Sequence, residues 1–239
     1  MLTWLSIEAR KLKGTLVLLL CGVAPTLVTI LVTLISLRRP GMDWHTVLTG
    51  STGLWSFFVL PMTITALSAL LAHIEHGPRA WDHLFALPIS RWRLFAAKAI
   101  VLMALVGGMS LMLALELRVA GGVLQVFGPA AAPRGPFPWR EAATLLGEMW
   151  AASLCMGMIQ LWVALRFRSF VAPLTTGLCG TFVAVAAFNA TEAMYVPWAM
   201  PVSIVGADGV HAMPALQMGV AGGLITFALM VIHLSQREA

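Results

Sequence analysis

The stretch EHGPRAWDHLFALPISRWRLFAAK, residues 75–98, lies between two long apolar segments and gathers charges, histidines and helix-breaking residues. Gly77-Pro78 predicts a helix start, because proline is best tolerated at the first helical position. Leu87-Pro88 predicts the end of that helix, since the residue before a proline is pushed out of helical geometry. The sequence therefore predicts a short, sharply bounded helix between the two proline pairs.

The predicted helix is amphipathic. Apolar residues recur at the spacing i, i+3, i+4 and i+7 of one helix face, at Trp81, Leu84, Phe85 and Pro88. The polar residues Arg79, Asp82 and His83 fall on the other faces. We predict that residues 77–87 form a helix lying flat at a membrane surface.

The composition places the rest of the chain in a bilayer. Of the 239 residues, 59% are hydrophobic and 10% charged, whereas a soluble domain has about 25% charged residues. The net charge of +5 comes from basic residues next to apolar segments, an arrangement that fits topology and lipid head groups rather than nucleic acid. Three cysteines lie within apolar runs and are expected to be buried hydrophobes: Cys21, Cys155 and Cys179.

Six apolar segments approach or exceed the ~20 residues that a transmembrane helix needs. They predict an all-α polytopic membrane protein of one domain, residues 1–239, with spans at 15–37, 53–74, 94–117, 142–165, 170–188 and 216–234. Pro61 and Pro173 predict kinks within two of the spans. The basic residues before the first span and its length predict a retained transmembrane helix. The spacing of Trp4, Leu5, Glu8 and Lys11 or Leu12 predicts a short interfacial helix before it.

The distribution of basic residues predicts the orientation. With the N-terminus inside, ten basic residues lie on the inner side and five on the outer side, which favours both termini in the cytoplasm. The inner set is Arg10, Lys11, Lys13, Arg79, Arg91, Arg93, Lys98, Arg166, Arg168 and Arg237; the outer set is Arg38, Arg39, Arg118, Arg134 and Arg140. The 77–87 helix is then cytoplasmic.

Catalytic motifs are absent from the sequence. No GxxxxGK[ST], GxSxG or HExxH pattern occurs, so we expect a chain that is not an enzyme, does not hydrolyse ATP and holds no cofactor or metal of its own. An alternative is a metal-dependent membrane factor or enzyme built on His73, His76 and His83, with Glu75 and Asp82 nearby. A further alternative is a passive membrane anchor for a soluble partner.

Two acidic residues fall near the hydrocarbon region, Glu116 and Glu148. One interpretation is that they reach the outer interface or pair with Arg118 or Arg140. The other is that they line an outward-facing substrate path or bind a cationic ligand. The sequence leaves both interpretations open.

These features together resemble the membrane subunits of type-2 ATP-binding-cassette exporters, and most closely the permeases of bacitracin and lantibiotic export and immunity systems. The resemblance covers essentially the whole chain. It depends on the N-terminal MLTWLSIEARKLKG, on residues 75–98 with the core Leu87-Pro88-Ile89-Ser90, and on Pro197-Trp198-Ala199-Met200-Pro201 before the last span.

The resemblance implies a division of labour in a bacterial plasma membrane. A separate cytoplasmic ATPase, present in two copies, would bind ATP and Mg²⁺, and a second permease, identical or paralogous, would complete the pathway. The ATPase would contact a coupling helix at residues 77–87, through Glu75, Gly77, Pro78, Trp81, Asp82, Phe85, Leu87 and Pro88. The segment with Pro197, Trp198 and Pro201 would form an external gate.

The predicted orientation can be tested by cysteine labelling. In a background without the three native cysteines, we expect a membrane-impermeant maleimide to label Glu192→Cys on intact cells and His83→Cys only after permeabilisation, because the two positions are predicted on opposite sides. Labelling of His83→Cys on intact cells would contradict the orientation.

Overall fold

The computed structural model describes residues 2–76, 91–187, 190–205 and 212–236. These residues form helices and connecting loops, with one isolated bridge between Asp43 and Arg134. The prediction of an all-helical protein is confirmed for this part of the chain. The predicted helix at 77–87 lies outside it.

Ten α-helices are described, and they are numbered here in chain order. They are α1 Leu2–Lys11, α2 Leu16–Arg38, α3 Trp44–Leu54, α4 Leu60–His76, α5 Arg91–Phe127, α6 Trp139–Ala152, α7 Leu154–Arg166, α8 Val171–Ala187, α9 Met200–Ser203 and α10 Ala212–Ser235. A π-helical turn, Trp55–Val59, joins α3 to α4, and 3-10 turns occupy Pro129–Ala131 and Thr191–Tyr195.

Four to five candidate membrane spans are present in the described residues, where the sequence predicted six. Four helical segments are long and apolar enough to cross a bilayer, and α6 with α7, which are bent by 41° relative to each other, make a fifth if the pair is one span. The remaining predicted span corresponds to α8, which is apolar but has only 17 residues. Its length of about 26 Å is short of the ~30 Å hydrocarbon core.

Two helical segments extend beyond the bounds predicted for their spans. The second begins at Trp44, before residue 53, and the third continues to Phe127, past residue 117. Asp43 caps the second span by accepting a hydrogen bond from the Thr46 amide; the hydrogen bonds from Thr46 hold the pKa of this carboxyl below its usual value. In the third span, Gly121 faces the Trp44 ring, so packing between the two spans stabilises a helix that Gly121-Gly122 alone would weaken.

Proline acts differently in the two spans where kinks were predicted. The π turn Trp55–Val59 immediately precedes Pro61, and it widens the helix where the proline ring cannot donate a hydrogen bond. Pro173 lies instead in the first turn of α8, where its missing amide has no helical partner in any case. The carbonyl of Pro173 accepts a 2.6 Å hydrogen bond from Gln160 Nε2 on α7.

The core of the bundle lies where α10 packs on α7, α2 on α5, and α4 on both α7 and α8. Small residues allow the closest of these approaches, since Gly219 of α10 lies against the backbone of Ala152, and Gly223 against Leu154. Close backbone contact of this kind replaces the hydrophobic effect that helices lack inside lipid. The end of the bundle that carries α1 is called the α1 end below, and the other the distal end.

We expect Gly121→Ala to destabilise the protein by about 1–3 kcal/mol, because the added Cβ would overlap the buried Trp44 ring. Gly108→Ala on the same helix is the matched control, because a Cβ there meets no atom within 4 Å. Thermal unfolding of both variants in detergent measures the difference. Equal melting temperatures would contradict the proposed contact.

Candidate functional site

A buried ion pair fastens α1 to the third span at the α1 end. Lys98 Nζ of α5 lies 2.9 Å from Glu8 Oε2, and Lys11 Nζ lies 2.8 Å from Glu8 Oε1. The Lys98 side chain is 0% exposed and that of Glu8 4%. The two oxygens of the Glu8 carboxylate therefore pair with different ammonium groups: that of Lys98 is buried and that of Lys11 is partly exposed.

Burial makes this arrangement sensitive to the loss of either partner. Removing two charges from water is costly, and mutual attraction offsets the cost only with good geometry and further hydrogen bonds. Removing Lys98 alone would leave the carboxylate of Glu8 buried with the partly exposed Lys11 as its remaining charged partner. Losing Lys98 alone would therefore weaken the contact between α1 and α5.

The pair is close to the predicted coupling segment. Residue 90 is followed directly by α5, and Lys98 lies about 10 Å along that helix. On the other side, α4 ends at His76. Every predicted coupling residue from Gly77 to Pro88 falls between these two helices, outside the described residues, and the side chain of Glu75 is also outside them.

Glu116 of α5 is half-buried where α5 packs on α2. Thr26 Oγ1 is 2.7 Å from Glu116 Oε1, and Thr29 Oγ1 is 3.1 Å from Oε2. The three residues border a cleft of about 350 Å³. The structure thus places one of the two predicted acidic residues in a polar cradle of neighbouring hydroxyls.

Glu148 has no such cradle. It is half-buried on α6, and within the described ranges no ion pair joins it or Glu116 to Arg118 or Arg140. The structure therefore does not bring the two acidic residues into the ion pairs that one interpretation of the sequence proposed.

The predicted gate residues are buried at the distal end. Trp198 is 8% exposed and its ring lies over Gly180 of α8. Pro197 is half-buried and Pro201 is buried in α9, which packs on α6 and α10. Trp198 Nε1 has no hydrogen-bond partner among the described residues. The segment therefore enters the bundle instead of lying on its surface.

The histidines of the alternative metal site are only partly described. His73 is exposed and its ring lies 6.2 Å from that of Phe170, edge to face. The His76 side chain and His83 lie outside the described residues. Within the described ranges no three His, Cys, Asp or Glu residues are grouped to hold a metal ion.

Sequence reasoning missed the Glu8–Lys98 pair and the threonine cradle. From the sequence, Lys98 was counted only among the basic residues of the inner side, and Glu8 was named only within the N-terminal stretch predicted to be interfacial. One signal could have found the pair, since Lys98 is the one lysine beyond residue 13 and a buried lysine needs a partner. Thr26 and Thr29 carry no comparable signal, because threonines in spans usually bond their own helix.

The long apolar helices and the bent α6–α7 pair are those of a multi-pass integral membrane protein. A family model described as "ABC-2 family transporter protein" matches residues 4–184, about three quarters of the chain. The chain belongs to this family, and it is the non-catalytic membrane permease of an ATP-binding-cassette transporter. Membership implies a partner ATPase subunit. A search of curated proteins finds none that matches the chain.

We expect Lys98→Met to destabilise the protein by about 3 kcal/mol, because it removes the buried partner of Glu8. The exposed Lys13→Met is the control and should change little. The double variant Glu8→Leu with Lys98→Met should recover most of the loss, since it leaves no buried charge unpaired. Thermal unfolding and tryptic cleavage at Arg10 measure the effect, and a double variant as unstable as Lys98→Met would contradict the explanation.

Proposed function

We propose that the chain is the permease of an exporter that moves a hydrophobic or amphipathic substrate outward, with a cytoplasmic ATPase docked on residues 77–87. Both termini then lie in the cytoplasm of a bacterial cell, and the α1 end faces the ATPase. Peptide antibiotics, including bacitracin and lantibiotics, are the cargo that the sequence resemblance favours.

The buried Glu8–Lys98 pair is the observation that carries this proposal. A motion imposed on residues 77–90 enters the bundle through α4 and the first turns of α5, the two helices that flank the segment. Because Lys98 fastens those first turns to α1, α1 and α5 would move together. An interfacial helix and a span that move as one body can transmit a movement of the ATPase to the membrane pathway.

The outer surface supports a pathway built by two permeases. In the most apolar stretch of each span, only 28% of the α2 residues and 22% of the α10 residues are buried, whereas 61% are buried in the second span. Large apolar side chains cover the open faces, including Leu27 and Ile30 on α2 and Leu224 and Ile225 on α10. A second permease and lipid would cover these faces in the assembled transporter.

The apolar character of the cargo has support in a second cleft. A cavity of about 390 Å³ lies between α5 and α6, and residues such as Leu111, Leu146 and Trp150 line it. Trp150 Nε1 donates a 2.8 Å hydrogen bond to the Met103 carbonyl, which fixes the ring at one wall. A volume of this size suits part of a lipid-like or peptide molecule.

At the distal end, the segment with Pro197, Trp198 and Pro201 would act as the gate. Its burial against α8, α6 and α10 supports that role, because opening a path there would require the segment to separate from three helices. Trp198 would move most, since its ring covers Gly180.

Docking of the ATPase is tested by reversing one charge and introducing another in the predicted coupling helix. We expect Asp82→Lys and Phe85→Glu each to lower the amount of ATPase that co-purifies with the tagged permease by about tenfold, the effect of a ~1.4 kcal/mol loss of affinity. Glu192→Lys, an equal charge reversal in the distal Thr191–Tyr195 turn, should leave co-purification unchanged. Normal ATPase recovery with both coupling variants would refute the docking site.

A further inference from the structure

Glu116 is placed at a depth where an isolated carboxylate is costly. Thr26 and Thr29 lie near the middle of α2, about 15 Å from its start and about 14 Å from its end respectively. Their hydrogen bonds bring the Glu116 carboxylate to the same level. A charged group in the hydrocarbon region costs several kcal/mol and commonly marks a substrate or ion pathway.

The carboxylate has unused capacity for hydrogen bonds. An ionised carboxylate offers about four acceptor positions, and the described residues supply two hydroxyl donors, Thr26 and Thr29. Thr26 is shared, because its hydroxyl is also 2.9 Å from the Gly22 carbonyl and has one proton to give. A third, cationic donor would therefore find free acceptor positions.

The nearest arginine along the helix is directed elsewhere. Residues two apart on a helix do not face each other, and the Arg118 guanidinium lies 3.2 Å from where a Cβ on Gly122 would be, toward the distal end. No ion pair reaches Glu116 from any described residue. The negative charge is therefore uncompensated within the described part of this chain.

The residues that line the rest of the cleft also indicate which kind of molecule fits it. Around Glu116, the walls are apolar and are formed by Met112, Leu115, Val119 and Ala120. Leu115 is 48% exposed and Val119 64% exposed, so the cleft opens sideways to the membrane. One acidic point inside an apolar cleft is complementary to a molecule with one cationic head and an apolar body.

We propose that this cleft binds the ammonium group of a cationic amphiphile, with Glu116 as the counter-ion and Thr26 and Thr29 holding its carboxylate in place. The ammonium donates to Glu116 while the apolar tail lies along Leu115 and Val119. That the bound molecule is cargo rests on the proposed export function. Binding itself does not require an ATPase, so it is tested on the permease alone.

The experiment uses photolabelling of the purified full-length permease in nanodiscs of zwitterionic phospholipid. The probes are a diazirine-bearing dodecylamine and the matching dodecanol, which differ only in the head group. Mass spectrometry counts labels on α2 and α5. We expect the amine to label the cleft residues about tenfold more than the alcohol, because a hydrogen bond to a charged group is stronger than one between neutral groups.

Three variants sharpen the test. Glu116→Gln should bring the amine-to-alcohol ratio close to one, Glu116→Asp should keep the preference because the charge remains, and Glu148→Gln is the matched control without a cradle and should behave as wild type. On the wild-type protein, excess unlabelled dodecylamine should remove the labelling and excess dodecanol should not, a measurement that needs no variant to fold.

The contrary results are equally defined. A wild-type ratio near one, a preference that survives Glu116→Gln, or an equal loss in Glu148→Gln would overturn the site. If neither probe labels the cleft while Leu115→Cys forms a disulfide between two copies, the cleft is an interface between permeases and the proposal is wrong. Because no ATPase is present, these results are independent of whether Asp82 and Phe85 dock one.

Discussion

The arrangement of the α1 end depends on one carboxylate shared between two lysines. Glu8 holds Lys98 inside the bundle and Lys11 at its edge, so the pair fastens α1 to the third span, on which it also packs. The pair is costly to build, since both groups lose water. In exchange, the pair fixes how α1 lies against the first turns of α5.

The sequence predicts the bounds of helices where hydrophobicity alone determines them. It does not predict them where packing between spans extends a helix. The helices α2 and α10 begin and end within four residues of the bounds predicted for the first and last spans, because these segments are uniformly apolar. The third span was predicted to end at residue 117, whereas α5 continues through Gly121-Gly122 to Phe127. Only the structure shows that the Trp44 ring occupies the space over Gly121. That contact joins residues far apart in sequence and leaves no local pattern.

The candidate site residues also divide into features that the sequence identified and features that only the packing between helices reveals. The acidic residues were identified from the sequence because ionisable groups are rare in apolar segments, yet nothing local separates Glu116 from Glu148. The difference comes from α2, whose Thr26 and Thr29 meet one of them and not the other. The segment before the last span was recognised from its prolines. Its burial, with the Trp198 ring over Gly180, depends on a close approach between segments that the composition does not encode. Hydrophobic periodicity predicts which face of a helix is apolar, but not which other helix packs against that face.

The π turn at Trp55–Val59 has a consequence for how this protein can vary. Such a turn holds one residue more than an α-helical turn, and each residue changes the angular position by about 100°. The extra residue is therefore accommodated locally, and the helices on either side of the turn keep their faces. Deleting a single residue here would convert the turn to α-helical geometry and leave α4 facing as before, whereas a deletion elsewhere in the span would rotate the part that follows by about 100° and retract its far end by about 1.5 Å. Natural length variation in this span is thus expected to be confined to this turn, where a backbone irregularity already absorbs it.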